Sequence, residues 1–492
     1  MIHNLPILII LVPLGWALMS VVVGQIYKRI PAIVTPIVMA ILVILSGVLL
    51  REVIISGEIH YYLGGWKPPF GIEFVLDPIS SLIICLISVL GFITSLYSYP
   101  IEYDSEKIRI SGYYALLSLL TTGLIGMAAT GDVFNFYVFL EITSLTSYGL
   151  VAMGKGQGVI SAFRYLVIGT IGASFYLLGV AFLYGETGSL NMSDIASILS
   201  QVEQNPVTVI VMAMMVIGFG VKMALFPLHG WQPAAYSNAH IGAAPMISGV
   251  MAKVPAYAMV RFFLFMFNDR TVHVKEFLVI IGILSSVGII YGSLKAITQT
   301  RLSRIMAYSS IAQIGYIGMG IAIGNAHAIL GALLHIFYHS ITKSGLFFAV
   351  GALKYKYGIN NLDELGQIYK KSPITSIVII LGGLSMIGIP PTVGFFSKWY
   401  IALGAMADGG YIYVGVLVIS TLLNAVYFFR IIENLFMNKE VESKDNKDFG
   451  KFEMPLPMLV SLVIMGILIA GFGLLNLNLV DVLMETVKGA TL

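Results

Sequence analysis

Lysines stand inside several long apolar runs of this sequence, where a charged group is costly. Lys222 and Lys253 lie in two such runs, on either side of a segment broken by Pro227 and Gly230. A lysine at the middle of a membrane-spanning helix costs about 2.5–3.5 kcal/mol on insertion scales, so it is usually retained for function. A desolvated lysine amine can bind and release a proton, whereas arginine stays charged. The two lysines therefore predict a proton or ion pathway.

A carboxylate complements the first of these lysines. Glu141 lies about nine residues into the apolar run 133–153, near the middle of a predicted span. An unpaired carboxylate at that depth would bind a proton, but a nearby lysine would stabilise the charged pair. We predict that Glu141 pairs with Lys222 and that opening of the pair lets Lys222 hold and release a proton in turn. A static salt bridge between two helices is the alternative interpretation.

A second group of titratable side chains follows at helical spacing. His335, His339 and Lys343 recur every four residues, so they share one helix face. A lone helix histidine is usually a hydrogen-bonded core residue, but this ladder occurs in a chain with further buried lysines. Histidine can relay protons near neutral pH. The ladder thus extends the predicted pathway, and we predict no metal site, since no carboxylate or cysteine lies nearby in sequence to complete one.

A second helix break accompanies the last buried lysine. Gly388, Pro390 and Pro391 interrupt an apolar run shortly before Lys398. Breaks at membrane depth are tolerated only where the backbone faces protein or water. Each break lies within about ten residues of a buried lysine, which favours hydrated cavities beside Lys222 and Lys398. A kink that only improves packing is the alternative.

The elements that must position these residues are membrane-spanning helices. Of the 492 residues 58% are hydrophobic and 11% charged, against about 25% charged in soluble proteins. A spanning helix needs about 20 mostly apolar residues. We therefore predict an all-α polytopic membrane protein with about fourteen spans, at residues 5–24, 32–50, 78–99, 113–130, 133–153, 159–184, 207–229, 244–267, 277–297, 304–324, 327–353, 374–403, 411–436 and 456–475.

Charge and motifs define orientation and exclude several function classes. One set of alternate loops carries sixteen Lys and Arg residues and the other five, so the positive-inside rule places both termini outside. Cys85 is the only cysteine, which excludes internal disulfides and cysteine-ligated clusters. No phosphate-binding loop, dinucleotide fingerprint or nucleophile motif occurs, so we expect no cofactor, no nucleic acid and no redox or hydrolytic centre. Glu73 and Glu102 are predicted to be solvated near span ends.

The two breaks also indicate an internal repeat. They fall five spans apart, and an odd offset inverts the second unit relative to the first, as in many secondary transporters. We predict N-terminal spans in 1–112, five-helix units in 113–267 and 277–436, and a charged cytoplasmic loop with a last span in 437–492. The partly alternating segment 60–77 predicts a short β-hairpin on the outer face.

Taken together, the motifs resemble a known family of membrane subunits. The most specific are Phe139-Leu-Glu141, the Lys222–Pro233 segment, the His335/His339/Lys343 ladder and Gly388–Lys398. They resemble the antiporter-like subunits shared by respiratory complex I, Mrp-type multisubunit Na+/H+ antiporters, and membrane-bound hydrogenase or sulfur-reducing complexes. Lys398 and the Gly64–Gly71 loop resemble the D-type Mrp subunit most.

The resemblance implies a fourteen-helix fold with two inverted five-helix bundles and a central polar axis. Glu141 would modulate Lys222, Lys253 and the histidines would conduct laterally, and Lys398 would gate exit. Other membrane subunits in the cell membrane would be the partners, with H+ and also Na+ as candidate cargo. Three alternatives stay open at this point: a docking subunit whose buried charges only join helices, a pump subunit of a quinone-linked dehydrogenase, and a stand-alone transporter of an organic solute.

Overall fold

The chain folds into long helices that correspond to the apolar runs of its sequence. The structure is a computed structural model and describes residues 4–103, 105–201, 206–267, 273–437, 452–474 and 476–488. The helices before the first break are α1 (Leu5–Ile26), α2 (Ile30–Ser56), α3 (Pro78–Glu102), α4 (Lys107–Ala129), α5 (Val133–Ala152), α6 (Gly158–Thr187), α7 (Met192–Leu199) and α8 (Pro206–Met223).

Shorter helical pieces follow the first break, and long helices then resume. They are α9 (Gln232–Asn238), α10 (Ala244–Met246), α11 (Lys253–Val260), α12 (Val274–Ile297), α13 (Leu302–Ile323), α14 (Ala326–Tyr357), α15 (Ile368–Lys371), α16 (Pro373–Ile387), α17 (Val393–Ala407), α18 (Tyr411–Met437), α19 (Leu456–Leu474) and α20 (Asn476–Lys488). Two π-helical turns, Ile247–Met251 and Arg261–Met266, flank α11, so the run predicted as one span at 244–267 is helical but unevenly wound.

The predicted all-α polytopic class is confirmed. Within the described ranges, eleven helices are long and apolar enough to cross a membrane. Helices α5 and α14 coincide with two further predicted runs but carry more polar residues, and the run at 374–403 consists of α16 and α17. The count of fourteen spans stays a prediction. Most of the predicted charged loop, with Lys439, Lys444, Lys447 and Lys451, lies outside the described residues.

Both predicted helix breaks occur at the expected places. Helix α8 ends one residue after Lys222, and the chain does not resume a helix until Gln232. Helix α16 ends at Ile387, and Gly388 follows with φ +90°, the left-handed conformation that glycine adopts without strain. Pro390 and Pro391 then precede α17, in which Lys398 lies in the second turn.

A small β-hairpin lies between α2 and α3, as the alternating pattern predicts. Strands β1 (Ile59–Tyr62) and β2 (Glu73–Leu76) pair antiparallel, with Ile59 opposite Leu76. Asp77 follows β2 and caps α3, where its carboxylate accepts a hydrogen bond from the Ser80 amide at 2.8 Å. The cap fixes the direction in which α3 leaves the hairpin.

Helix α14 forms the centre of the bundle, and α1 and α2 lie at its edge. From Ala328 to Leu353 nearly every α14 side chain is buried, against α13, α16, α17 and α19. In α1 and α2, by contrast, apolar side chains such as Leu18 and Ile44 are more than 60% exposed. Exposed apolar faces of this size suit contact with lipid tails rather than water. The titratable residues on α14 are therefore shielded from the lipid.

Candidate functional site

The predicted pair of Glu141 and Lys222 is present. The Lys222 Nζ lies 3.7 Å from Glu141 Oε1 and donates a hydrogen bond of 2.6 Å to Ser144 Oγ. Ser144 is one turn along α5 from Glu141, so both partners face α8 from one helix side. Lys222 is 4% exposed, whereas the Glu141 side chain is 28% exposed. The amine is thus buried, as is the Glu141 Oε1 that faces it, while the rest of the Glu141 side chain is partly exposed.

The first helix break satisfies its own backbone. The Trp231 indole Nε1 donates to the Val221 carbonyl at 2.8 Å, and the Leu225 amide donates to the Gly220 carbonyl at 2.8 Å. These are carbonyls that α8 would otherwise leave unpaired at its end. The carbonyls of Gly220 and Val221 are therefore not free to hold water in the hydrated cavity expected beside Lys222. The break instead fixes where α8 ends.

Lys253 opens α11 directly after a π-helical turn. Its Nζ donates to the Ser248 carbonyl within the same helical segment, and the side chain is 1% exposed. No carboxylate lies within ion-pair distance of Lys253 in the part of the chain that the structure describes. A π turn widens the helix by one residue and often marks a functional position. Here the π turn Ile247–Met251 places the Ser248 carbonyl beside the buried amine of Lys253.

His335 and His339 stack along α14 as predicted, with ring centroids 5.7 Å apart. His335 Nδ1 lies 2.9 Å from Ser397 Oγ on α17. His335 Nε2 and both nitrogens of His339 are buried and have no hydrogen-bond partner among the described residues. Buried polar atoms normally have a partner, so we expect ordered water at these nitrogens.

Lys343 turns away from the histidines and binds α13. Its Nζ donates to the Met306 carbonyl at 2.9 Å and to Ser309 Oγ at 2.6 Å, and its side chain is fully buried. The charge of Lys343 still acts on His339, as does that of Lys253. Lys343 thus belongs to the group, although hydrogen bonds tie its amine to a different helix.

Lys398 binds the end of the interrupted helix. Its Nζ donates to the carbonyls of Met386 and Ile387, each at 2.9 Å, and these are the last residues of α16. A cation at a helix C-terminus is favoured by the helix dipole. The ammonium also lies 4.8 Å from the centre of the Tyr316 ring, whose centroid is 5.3 Å from that of His335. Tyr316 was not identified from the sequence and connects Lys398 to the histidines.

The predicted residues therefore form two groups. Lys253, the two histidines, Lys343 and Lys398 interact electrostatically as one group on α11, α14 and α17. Glu141 and Lys222 form the other, and no ion pair or hydrogen bond between the described residues joins the two. The hydroxyls of Tyr148 and Tyr236 and the amide of Gln232 are buried in the first half of the chain without a partner in the described ranges. These are positions where water would be needed.

Two carboxylates that the sequence analysis predicted to be solvated are buried, so that prediction was wrong. Glu73 is 6% exposed; its Oε1 lies 2.6 Å from His60 Nδ1, and its Oε2 accepts from Asn191 Nδ2 at 2.7 Å. Glu102 is 1% exposed and lies 2.8 Å from His240 Nε2. Their partners are remote in sequence, and a charged residue near a span end does not reveal them.

Comparison with known proteins identifies the family. The family described as "NADH:quinone oxidoreductase/Mrp antiporter, TM" matches residues 130–424. The chain belongs to this family. The matched region contains every predicted pathway residue from Glu141 to Lys398, and so both helix breaks.

Relatives and a solved structure extend the likeness to nearly the whole chain. NADH-quinone oxidoreductase subunit N of Desulforudis audaxviator is 42% identical and aligns over 97% of each chain. The D-type subunit of the Na+/H+ antiporter of Bacillus subtilis is 29% identical, over 90% of this chain and 88% of that one. A chain of the membrane-bound sulfane sulfur reductase, an archaeal respiratory membrane complex, superposes with a TM-score of 0.89 at 29% identity over 99% and 97%.

Proposed function

We propose that this protein is a proton-translocating, antiporter-like subunit of a multisubunit membrane complex. The observation that carries the proposal is the Glu141–Lys222 pair, in which a buried amine at the end of an interrupted helix faces a partly exposed acidic residue. Such a pair has two states, closed and open, that differ in how strongly they hold a proton on the lysine. A purely structural salt bridge would need neither a partly exposed acidic partner nor the five further buried bases.

The remaining residues supply a route across the bundle. Lys222 would exchange a proton with Lys253 through water, and His339 and His335 would relay it along α14. Lys398 would then release it at the second break. Each step uses a nitrogen base, which forms an N–H bond when it accepts a proton from one neighbour and breaks an N–H bond when it donates a proton to the next. Lys343, whose amine is bound to α13, would also take part, since its charge acts on His339.

The relatives support the assignment to a larger complex. One is named as a subunit of an NADH-quinone oxidoreductase, another as a subunit of a Na+/H+ antiporter. We infer that this chain likewise works with other membrane subunits in the cell membrane, either in a cation/proton antiporter or in an energy-converting redox complex. H+ is the proposed cargo, with Na+ as a second candidate. The termini are proposed to lie outside, and 113–267 and 277–436 to be inverted five-helix units.

Inverted membrane vesicles that contain the complex provide the test. Proton uptake is followed by quenching of a pH-sensitive dye after the complex is energised, and assembly is measured in the same membranes. Lys222→Met should abolish uptake and leave the amount of assembled complex unchanged. Lys295→Met is the matched control, since Lys295 is exposed in the last turn of α12. Loss of assembly with normal uptake by the remaining complex would instead support a docking role.

A further inference from the structure

A basic cavity opens at the end of the bundle where α6 and α13 begin. It has a volume of about 450 Å³, and its charged lining residues are Lys155, Arg301 and Arg304. The rest of its lining is neutral, so no carboxylate among the described residues faces it. Lys354, at the end of α14, lies close enough to Arg301 and Lys155 for their charges to repel. The cavity thus concentrates positive charge in one place.

Two helix N-termini converge on the same cavity. Gln157 and Arg301 line it, and they are the residues directly before α6 and α13. Neither provides a side-chain hydrogen bond that caps its helix. The N-terminus of a helix carries a partial positive charge, which favours an anion, although the first amide of α13, that of Leu302, already donates to the Asn360 carbonyl. These dipoles add to the three cationic side chains.

The cations in this cavity are not neutralised by the part of the protein that the structure describes. Lys155, Arg301 and Arg304 have no carboxylate within ion-pair distance there. Arg301 donates to neutral oxygens, those of Asn238 and Ser237, both at 3.2 Å. Burial and the neighbouring Arg304 lower the pKa of Arg301.

Two other partly buried arginines of this chain are paired with carboxylates, whereas a third, Arg430, donates to the Ile297 carbonyl at 2.9 Å. Arg261 is bound to Asp77, and Arg109 lies 3.7 Å from Glu102. The adjacent cavity contains Glu102 and Glu106 beside Lys155, but Glu102 is already engaged by a histidine and an arginine. Like charges held together without a counterion destabilise a fold. The described residues therefore supply no counterion to the three cations of this cavity.

Helix α6, which begins at the cavity, also carries an exposed apolar surface. Val159, Ile160 and Phe163, in the first two turns, are each more than half exposed. A shallow groove then follows along the same helix, lined by Leu166, Val167, Thr170, Ile171, Ser174, Phe175 and Leu178. At 1.5 Å per residue the groove begins about 12 Å from the start of α6. One leaflet of the hydrocarbon core is about 15 Å thick, so only the start of the groove, at Leu166 and Val167, lies in the leaflet whose headgroups are level with the cavity, together with Val159, Ile160 and Phe163.

We propose that the cavity binds the phosphate headgroup of an anionic phospholipid whose acyl chain lies along the exposed apolar residues of the first turns of α6, up to the start of the groove. Phosphate is the anion that suits two helix N-termini and several Lys and Arg side chains. The groove accounts for an amphiphile rather than a soluble anion. Basic pockets at the ends of membrane helices bind anionic headgroups in this way. The proposal does not depend on the direction or nature of ion transport.

Lipid binding to the purified full-length protein, with any subunits that co-purify, tests the proposal. After delipidation, dioleoyl phosphatidylglycerol and dioleoyl phosphatidylcholine are titrated, and bound lipid is counted by native mass spectrometry. We expect the anionic lipid to bind at least about tenfold more tightly. The double variant Lys155→Gln/Arg304→Gln should lose about thirtyfold in affinity, at about 1 kcal/mol per charge. Lys295→Gln, an exposed lysine of α12, is the matched control and should bind normally.

A second arm separates a lipid from free phosphate and from a protein partner. Phe163→Gln/Val167→Gln, at the exposed apolar surface and the start of the groove, should weaken binding of the phospholipid, whereas Ile283→Gln, an exposed apolar residue of α12, should not. Equal affinity for the two lipids would overturn the proposal. So would tight binding of inorganic phosphate that the groove variants do not alter. Protection of Lys155 from amine acylation in the fully delipidated preparation would show that protein covers the cavity, and would also overturn it.

Discussion

Replacing Glu141 by glutamine removes one charge from the pair and keeps the shape of the side chain. At the observed 3.7 Å, the attraction between Lys222 and Glu141 amounts to about 4 kcal/mol at an effective dielectric constant of 20, and to about 1 kcal/mol with the screening of water. Glu141 is partly exposed, so we take about 2 kcal/mol as the stabilisation that charged Lys222 loses. Since 1.4 kcal/mol corresponds to a factor of ten, proton uptake that requires this charged state should slow by about thirtyfold.

The same vesicle assay measures this effect. The matched control is Glu433→Gln, the same chemical change at an exposed position in α18. Glu141→Asp retains the charge but shortens the side chain, so it should give an intermediate rate. The Ser144 hydroxyl remains a partner of Lys222 in every variant, which limits the effect on folding. Uptake by the glutamine variant within twofold of the unmodified protein would refute the reasoning, because the pair would then be dispensable.

Three further changes test other parts of the site. Lys398→Met removes both hydrogen bonds from the ammonium to the end of α16: the Ile387 carbonyl loses its donor at about 1–3 kcal/mol, and the Met386 carbonyl keeps only a long contact of 3.5 Å from Asn424 Nδ2. We therefore expect a lower thermal unfolding temperature and loss of proton uptake, and an unchanged unfolding temperature would contradict the observed contacts. Gly388→Ala places a Cβ 3.2 Å from Lys398 at φ +90° and should destabilise by about 1–2 kcal/mol, whereas Gly415→Ala, in open space on α18, should be neutral or slightly stabilising. Burial would raise the pKa of Asp77, but Arg261 lowers it below 3.8. The pair should therefore stabilise the protein above about pH 4, and this stabilisation should be lost as the pH falls further. In Asp77→Asn, the loss of stability at acid pH that comes from this pair should disappear from unfolding measurements made against pH.

Hydrophobic runs and isolated charges were sufficient to predict much of this protein. The long apolar runs predicted helices because few other structures can span a lipid bilayer with their backbone hydrogen bonds satisfied. Glu141 and Lys222 could be paired because each is the buried charge of its own run and a charge at that depth needs a partner. The spacing of His335 and His339 fixed their common face. These inferences rest on physical constraints that act locally along the chain.

The remaining features depend on contacts between distant segments. That Lys398 binds the carbonyls of α16 follows from how the chain turns between α16 and α17, which Pro390 and Pro391 indicate but do not specify. Tyr316 resembles many other tyrosines in apolar runs, so nothing in the sequence distinguishes it. Ser144 was the exception, since its place one turn after Glu141 is a signal that could have been used.

The contact between Lys398 and the end of α16 couples protonation of the lysine to the position of the helix end. When Lys398 is protonated, its ammonium group donates hydrogen bonds to the last two carbonyls of α16. Two equilibria that share a group are coupled reciprocally. A shift of the end of α16 therefore changes the proton affinity of Lys398, and protonation of Lys398 changes the preferred position of the helix end by the same free energy. A neighbouring protein that displaced this helix end would therefore alter the proton affinity of Lys398 without touching the lysine.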